Sequence, residues 1–174
     1  MKILDLDFKL FIKEDEIQKV VKKLAKKINK EYANHNPLFL CILNGAFIFA
    51  GDLFRELKIH AEISFIKLSS YYQVNSSGKV RELIGLNHSV FNRNLIILED
   101  IIDSGLTLQY TMEILQDLGA ASIDVVTLFL KPKSLNKELD IKYVGFEIPN
   151  EFIVGYGMDY NGYGRNLKNV YIKK

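Results

Sequence analysis

Residues 95–107, L-I-I-L-E-D-I-I-D-S-G-L-T, constrain this chain more than any other segment. The aliphatic run 95–98 reads as a strand buried on both faces, the pattern of a parallel sheet. Glu99 and Asp100 stand where that strand is expected to end, Asp103 follows two isoleucines, and Ser104-Gly105 makes a small-residue turn. Beyond Thr107 the period changes. Leu108, Met112, Leu115 and Leu118 recur at helical spacing, Gly119 is the expected stop, and in the plainer structural reading Asp103 or Ser104 is the N-cap. Strand, acidic turn and helix N-terminus form a layout that holds phosphorylated ligands, because the first N–H groups of a helix lack partners and attract an anion. Three carboxylates in five residues would repel a bare phosphate. They make sense if the ligand also brings hydroxyls, a metal ion or a proton to remove. A sugar phosphate with vicinal hydroxyls fits, with Glu99 and Asp100 on the ribose, the turn on the phosphate and Asp103 facing the reacting centre. The same string also fits a plain strand end with solvated acids and a capped helix.

The rest of the chain supplies the frame. At 174 residues it has the length of one domain with a substantial core. Its formal charge of +2 argues against nucleic acid or membrane as the main partner. Cys41 is the single cysteine, which rules out an intrachain disulfide, and its apolar neighbours mark it as an inert buried thiol. The first residues carry acids where a signal peptide needs an apolar stretch, and no apolar run is long enough to span a bilayer, so a cytoplasmic location is expected. Residues 14–32 read as an amphipathic helix with a stripe of Ile17, Val20, Val21, Leu24, Ile28 and Tyr32; its lysine-rich opposite face reads as solvated. Residues 38–43 form a second buried strand. Asn44-Gly45-Ala46 then turns into a helix on which Phe47, Ala50, Leu53, Phe54 and Leu57 share a face, and residues 59–67 return as a strand. Such β-turn-α-β units build parallel sheets, whose ligands bind at the carboxyl ends of the strands. That rule puts Asn44-Gly45 and the acidic loop on one rim.

Residues 68–94 are the least regular, with a polar tip at 75–78 that suggests a hairpin or a lid. Residues 123–130 form another strand, which delivers Lys131 to the same rim, where an ammonium can serve a carbonyl oxygen. Residues 143–148, 152–157 and 170–172 are further strand candidates, and Phe152 is placed either in the core or stacked on a flat heterocycle. His35, His60 and His88 show no ligand spacing, and neither a P-loop nor a nucleophile elbow occurs.

The string 95–107 resembles the signature of the type I phosphoribosyltransferases, which bind 5-phosphoribosyl 1-pyrophosphate. A second segment, Y-V-G-F-E-I-P-N-E-F-I-V-G-Y-G-M-D-Y at 143–160, resembles the C-terminal signature of the hypoxanthine-guanine members, and Ser70-Tyr71 resembles their Ser-Tyr pair on a closing loop. The resemblance covers residues 37–165. It implies a type I phosphoribosyltransferase fold in one domain of residues 1–174, an α/β, mainly parallel sheet spanning about 37–131, and a hood from about 142–174 with the N-terminal segment 1–11. It implies transfer of phosphoribose to a 6-oxopurine, giving the nucleoside monophosphate and pyrophosphate. By the same resemblance Asp103 is the acid/base at purine N7, and Ser104, Gly105, Leu106 and Thr107 wrap the 5-phosphate. Lys131 donates to the 6-oxo group, Phe152 stacks on the ring and Ile153 offers backbone groups to its edge. Glu99 and Asp100 meet the ribose hydroxyls directly or through Mg²⁺, Asp159 holds a further Mg²⁺, and Arg165 contacts pyrophosphate. Leu43, Asn44 and Gly45 fall on the pyrophosphate loop, where Asn44 replaces the usual basic residue, and Lys67 stands where some members have arginine. Phosphoribosyl pyrophosphate and a purine base are the implied partners, with a homo-oligomer, dimer or tetramer, as the expected assembly. A nucleotide sensor on the same fold, or a phosphate-binding domain without chemistry, are the rival readings.

Overall fold

The structure is a computed structural model in which residues 1–72, 79–135 and 139–174 are described, without the side chains between residues 68 and 84. Its main sheet has six strands. Five are parallel: β3 (Leu38–Ile42), β4 (Glu62–Tyr72), β6 (Asn94–Ile102), β7 (Ser122–Leu130) and β8 (Tyr143–Glu147). The sixth, β5 (Lys79–Ile84), closes one edge antiparallel to β4, giving the order β5-β4-β3-β6-β7-β8. Helix α1 (Glu14–Glu31) and helix α2 (Phe47–Arg55) cover one face, and α3 (Leu106–Asp117) packs on the other. A smaller antiparallel sheet joins β1 (Lys2–Ile3), β2 (Leu6–Ile12), β10 (Val170–Lys173) and β9 (Ile153–Val154) in that order.

The continuous apolar runs follow from burial on both faces. Phe39 and Cys41 point toward α1 and α2 together with Ile96 and Leu98, whereas Leu38, Leu40, Leu95 and Ile97 pack with Leu108 and Leu115 of α3. Each fully buried aliphatic side chain of this kind stabilises by about 1.5–3 kcal/mol, so neither face of β3 or β6 tolerates a polar residue until the rim is reached. Of the stripe, Ile17, Val21, Leu24 and Ile28 are buried on α1 and Val20 is half-buried, and acids in the first turn with a lysine in the last complement the helix dipole.

Four expectations are corrected. β6 does not stop at the acids but runs on to Ile102, because Ile101 and Ile102 keep the ladder to Phe129 and Leu130. Tyr143–Glu147, assigned to the hood from sequence, is instead the edge strand of the main sheet, paired in parallel with β7. On α2 it is Phe49 that joins Ala50 and Leu53 in the core, while Phe47 in the first turn is 44% exposed. The cap of α3 is neither Asp103 nor Ser104 but Gly105, at φ +77°, a conformation that an L side chain adopts only with strain. The hairpin between β4 and β5 is present; its expected tip at 75–78 lies outside the described residues.

Candidate active site

Strand order determines where a ligand can sit. β3 and β6 are neighbours, yet the chain leaves β3 toward β4 on one side and β6 toward β7 on the other. The loops at their carboxyl ends diverge, and the crevice between them is the topological switch point of the sheet. Loop 43–45 and loop 103–105 border it, and β7 adds Lys131 at its own end. The hood closes the third side. An open cleft of about 280 Å³ results, lined by Gly45, Asp100, Ile101, Asp103, Lys131, Phe152, Ile153, Met158, Asp159 and Arg165. A smaller hollow of about 120 Å³ adjoins it through Ile101 and Asp103, and Glu99, Ser104, Gly105 and Thr107 are among its walls.

The small hollow has the chemistry of an anion cradle. It sits at the N-terminus of α3, whose first N–H groups lack helical partners; Ser104 Oγ offers only a long 3.4 Å bond to the Leu106 N–H. Leu106 and Thr107 are exposed beside it. In contrast, Glu99 is buried and Asp100 half-buried. Burial, and then the neighbouring Asp100 charge, push the Glu99 carboxyl well above the usual range; burial also raises Asp100, partly offset first by Glu99, then by backbone N–H groups, and last by the Arg165 charge. The pair therefore holds on to protons more readily than ordinary carboxyls do. Gly45 makes room for this pair: a methyl there would lie 1.8 Å from Asp100 Oδ2. The Leu43–Asn44 peptide in the same loop is cis.

Asp103 has the opposite character. Lys131 Nζ donates to Asp103 Oδ2 at 2.7 Å, with the lysine side chain 8% and the aspartate side chain 52% exposed. That bond holds the Asp103 carboxyl below its usual range against a smaller effect of burial. An exposed carboxylate and a buried ammonium thus sit side by side. On the hood, the Phe152 ring is braced by Phe8 at 6.2 Å and by Tyr160 edge-on at 5.8 Å, and it remains 40% exposed toward the cleft. Arg165 binds Asp159 at 2.6 Å and donates to the Gly157 carbonyl at 2.7 Å, while Asp159 also accepts the Gly162 N–H at 2.6 Å.

The cleft thus gathers Gly45, Asp100, Asp103, Lys131, Phe152, Ile153, Asp159 and Arg165 from the sequence-based set, and the hollow gathers Glu99, Ser104, Gly105 and Thr107. Leu43 and Asn44 flank Gly45 but are not among the cleft-lining residues. Ser70 and Tyr71 lie on β4 opposite Arg81 and Val80; their side chains are outside the description. Ile101 and Met158 line the cleft without having been singled out from sequence. Ile101 was legible in principle, since extending β6 by alternation brings it to the rim. Cys41 is buried and its thiol is pushed up to about 12, mainly by burial, as an inert core residue requires. Among the described residues, no helix is long and apolar enough to cross a membrane.

A mainly parallel sheet with an acid-bearing loop feeding a helix N-terminus at its switch point defines an α/β protein built for a phosphorylated ligand with hydroxyls. Comparison with known proteins narrows this class. The profile described as "Phosphoribosyl transferase domain" matches residues 12–161. The hypoxanthine-guanine phosphoribosyltransferase of Bacillus subtilis is 42% identical over 167 residues, which cover 95% of this chain and 93% of that protein. A Bifunctional protein TilS/HprT of Listeria monocytogenes is equally similar, but this chain spans only 26% of its length. The crystal structure of a hypoxanthine-guanine phosphoribosyltransferase from Bacillus anthracis superposes with a TM-score of 0.88 at 34% identity, covering 98% of this chain and all of that one. The chain belongs to the phosphoribosyltransferase family, on its hypoxanthine-guanine branch.

Proposed function

We propose that this chain transfers the 5-phosphoribosyl group from phosphoribosyl pyrophosphate to a 6-oxopurine (hypoxanthine, guanine or xanthine), releasing pyrophosphate, as a purine salvage enzyme of the cytoplasm. The observation that carries this reading is the Lys131–Asp103 pair at 2.7 Å in a cleft that also holds an open aromatic face. A 6-oxopurine presents O6 and N7 on one edge, so a donor and a base side by side match that edge. Lys131 donates to the 6-oxo group, and Asp103 takes the proton at N7, a general-base contribution of about 10²–10⁴-fold. Phe152 supplies the stacking surface and Ile153 the backbone groups at the ring edge. Ser104, Gly105, Leu106 and Thr107 cradle the 5-phosphate. Arg165 and the backbone of Leu43, Asn44 and Gly45 hold the pyrophosphate, with Ser70 and Tyr71 on the segment that covers it.

The acid groups fit Mg²⁺ of a particular kind. Among the described residues no three carboxylates, histidines or cysteines come together as a cage. Mg²⁺, however, is commonly bound by one or two carboxylates together with phosphate oxygens and water. Asp159 on the hood and the Glu99–Asp100 pair on β6 are the residues that would hold it. When bound, it neutralises charge on the departing pyrophosphate and fixes its geometry. Glu99 and Asp100 otherwise accept from the ribose hydroxyls, and a cation or hydroxyl donors arriving there relieve the cost of burying two adjacent carboxyls. We assign residues 1–174 to one domain and expect a homo-oligomer. The test is a steady-state assay of purified protein with Mg²⁺ and phosphoribosyl pyrophosphate. Hypoxanthine, guanine, xanthine, adenine and uracil are offered separately. Turnover confined to 6-oxopurines and abolished by chelator is expected; binding of the donor without turnover of any base would replace this reading with a nucleotide sensor.

A further inference from the structure

Three side chains outside the cleft tie two of its walls together. α2 starts just after loop 43–45 and carries Asp52 between its buried residues Ala50 and Leu53. Asp52 Oδ2 accepts hydrogen bonds from the Tyr156 hydroxyl at 2.6 Å and from Gln18 Nε2 of α1 at 2.6 Å. Tyr156 is 3% exposed and packs within the core beneath α1 and α2. It is also the middle of three consecutive left-handed residues, Gly155 at φ +107°, Tyr156 at +50° and Gly157 at +100°. A tyrosine holds that conformation only where its surroundings fix it.

What this turn positions is the diphosphate side of the cleft. The Tyr156 N–H donates to the Leu167 carbonyl at 2.7 Å and the Gly157 N–H to the Arg165 carbonyl at 3.0 Å, and the Arg165 guanidinium returns a bond to the Gly157 carbonyl. Gly157 also lies against loop 43–45 so closely that a methyl on it would sit 2.1 Å from the Gly45 carbonyl oxygen. Asp159 follows two residues on. Neither Asp52 nor Tyr156 lines the cleft. The base side is fixed separately, by β6 and β7 for Asp103 and Lys131 and by Phe8 and Tyr160 for Phe152.

Resting on the transferase reading, we propose that Asp52 and Tyr156 are positioning residues for the diphosphate end of the donor: their hydrogen bond sets the spacing between loop 43–45 and the Asp159–Arg165 pair. A displacement of about 1 Å at such a distance from the chemistry is enough to cost up to ~10²-fold. The experiment compares Tyr156→Phe, Asp52→Ala and Asp52→Asn for steady-state kinetics, for calorimetric binding of phosphoribosyl pyrophosphate with Mg²⁺, and for melting temperature. Tyr156→Phe and Asp52→Ala should each raise the KM and the Kd for phosphoribosyl pyrophosphate about tenfold while the purine KM and kcat stay within about twofold. Asp52→Asn keeps an acceptor for both donors and should restore donor binding. The double variant Tyr156→Phe/Asp52→Ala should bind no more weakly than either single one, since both remove the same bond. A lowered melting temperature with donor binding unmoved would overturn the proposal, as would a uniform loss in both KM values and kcat. Calorimetry needs no turnover. If the wild type binds the donor without turning over any base, and the variants bind it tenfold more weakly, the transferase reading falls and the positioning role stands.

Discussion

Asp103 and the Glu99–Asp100 pair are carboxyls a few residues apart whose environments drive them in opposite directions. Lys131 depresses Asp103, whereas burial raises the pair. The signs carry through to pH dependence. A depressed carboxyl contributes stability that is complete above its unfolded value, about 4, and is lost as pH falls through the folded value. The buried pair does the reverse, contributing below the unfolded value and losing it as pH rises through the raised one. Asp103 is too exposed for its share of stability to be large, so its shift matters for catalysis. In its proposed role as base it must be ionised, and the acid limb of kcat/KM should lie below the ordinary carboxylate range. Lys131→Met removes both the 2.7 Å bond and the donor to the oxo group. It should move that limb upward and lower kcat/KM by about 10–100-fold, the cost of about 1.5–3 kcal/mol for a hydrogen bond to a charged group. A pH–rate profile of the two proteins checks both; an unmoved limb would mean that Asp103 is not the base.

At the scale of elements, the close approach of loop 43–45 to β6 makes the sharpest prediction. Gly45 has no space for a side chain, with Asp100 Oδ2 only 1.8 Å from where a Cβ would stand. Gly45→Ala must displace either the loop or the Asp100 carboxyl. Overpacking of this kind costs about 1–3 kcal/mol, a fall of several degrees in Tm for a domain of this size. The KM for phosphoribosyl pyrophosphate should rise at least tenfold, as steady-state kinetics would show, because loop and carboxyl are both assigned to the donor. The elements themselves were largely legible. β3, β6 and β7 announce themselves as aliphatic runs because both of their faces are covered, and α1 by its stripe. β8 was misassigned because its own burial pattern, one buried end and a half-exposed middle, suits an edge strand of either sheet. The cap of α3 was missed because serine and aspartate are good caps in general, and only the backbone reveals that Gly105 turns left-handed there.

For the molecule as a whole, the site is legible only in parts. The acidic loop can be read as a phosphate and hydroxyl site from residue chemistry alone. Lys131, Phe152, Asp159 and Arg165 come from β7's end and the hood, and their convergence on the cleft is a property of tertiary structure. The strand pattern brings Lys131 to the rim and residue chemistry offers Phe152 for stacking, whereas the roles of Asp159 and Arg165 come through resemblance. Tyr156 lies within the 143–160 segment, yet nothing in the sequence pairs it with Asp52, 104 positions away and 2.6 Å distant in the fold. The same division of the site between sheet and hood governs how it responds to ligands. Because no cage of three carboxylate, histidine or cysteine ligands exists among the described residues, Mg²⁺ alone has too few protein ligands to bind firmly. With phosphoribosyl pyrophosphate it would gain phosphate oxygens, and on the proposed assignments Asp100 of the sheet and Asp159 and Arg165 of the hood would hold the complex together. Thermal unfolding should therefore be unmoved by millimolar Mg²⁺ alone and stabilised by the two together, by about 2.7 kcal/mol at a hundredfold excess over Kd. Chelation should cancel most of that gain. An equal upward shift with Mg²⁺ in the absence of the donor would show that the protein holds the metal by itself, and the division of its ligands between protein and substrate would be wrong.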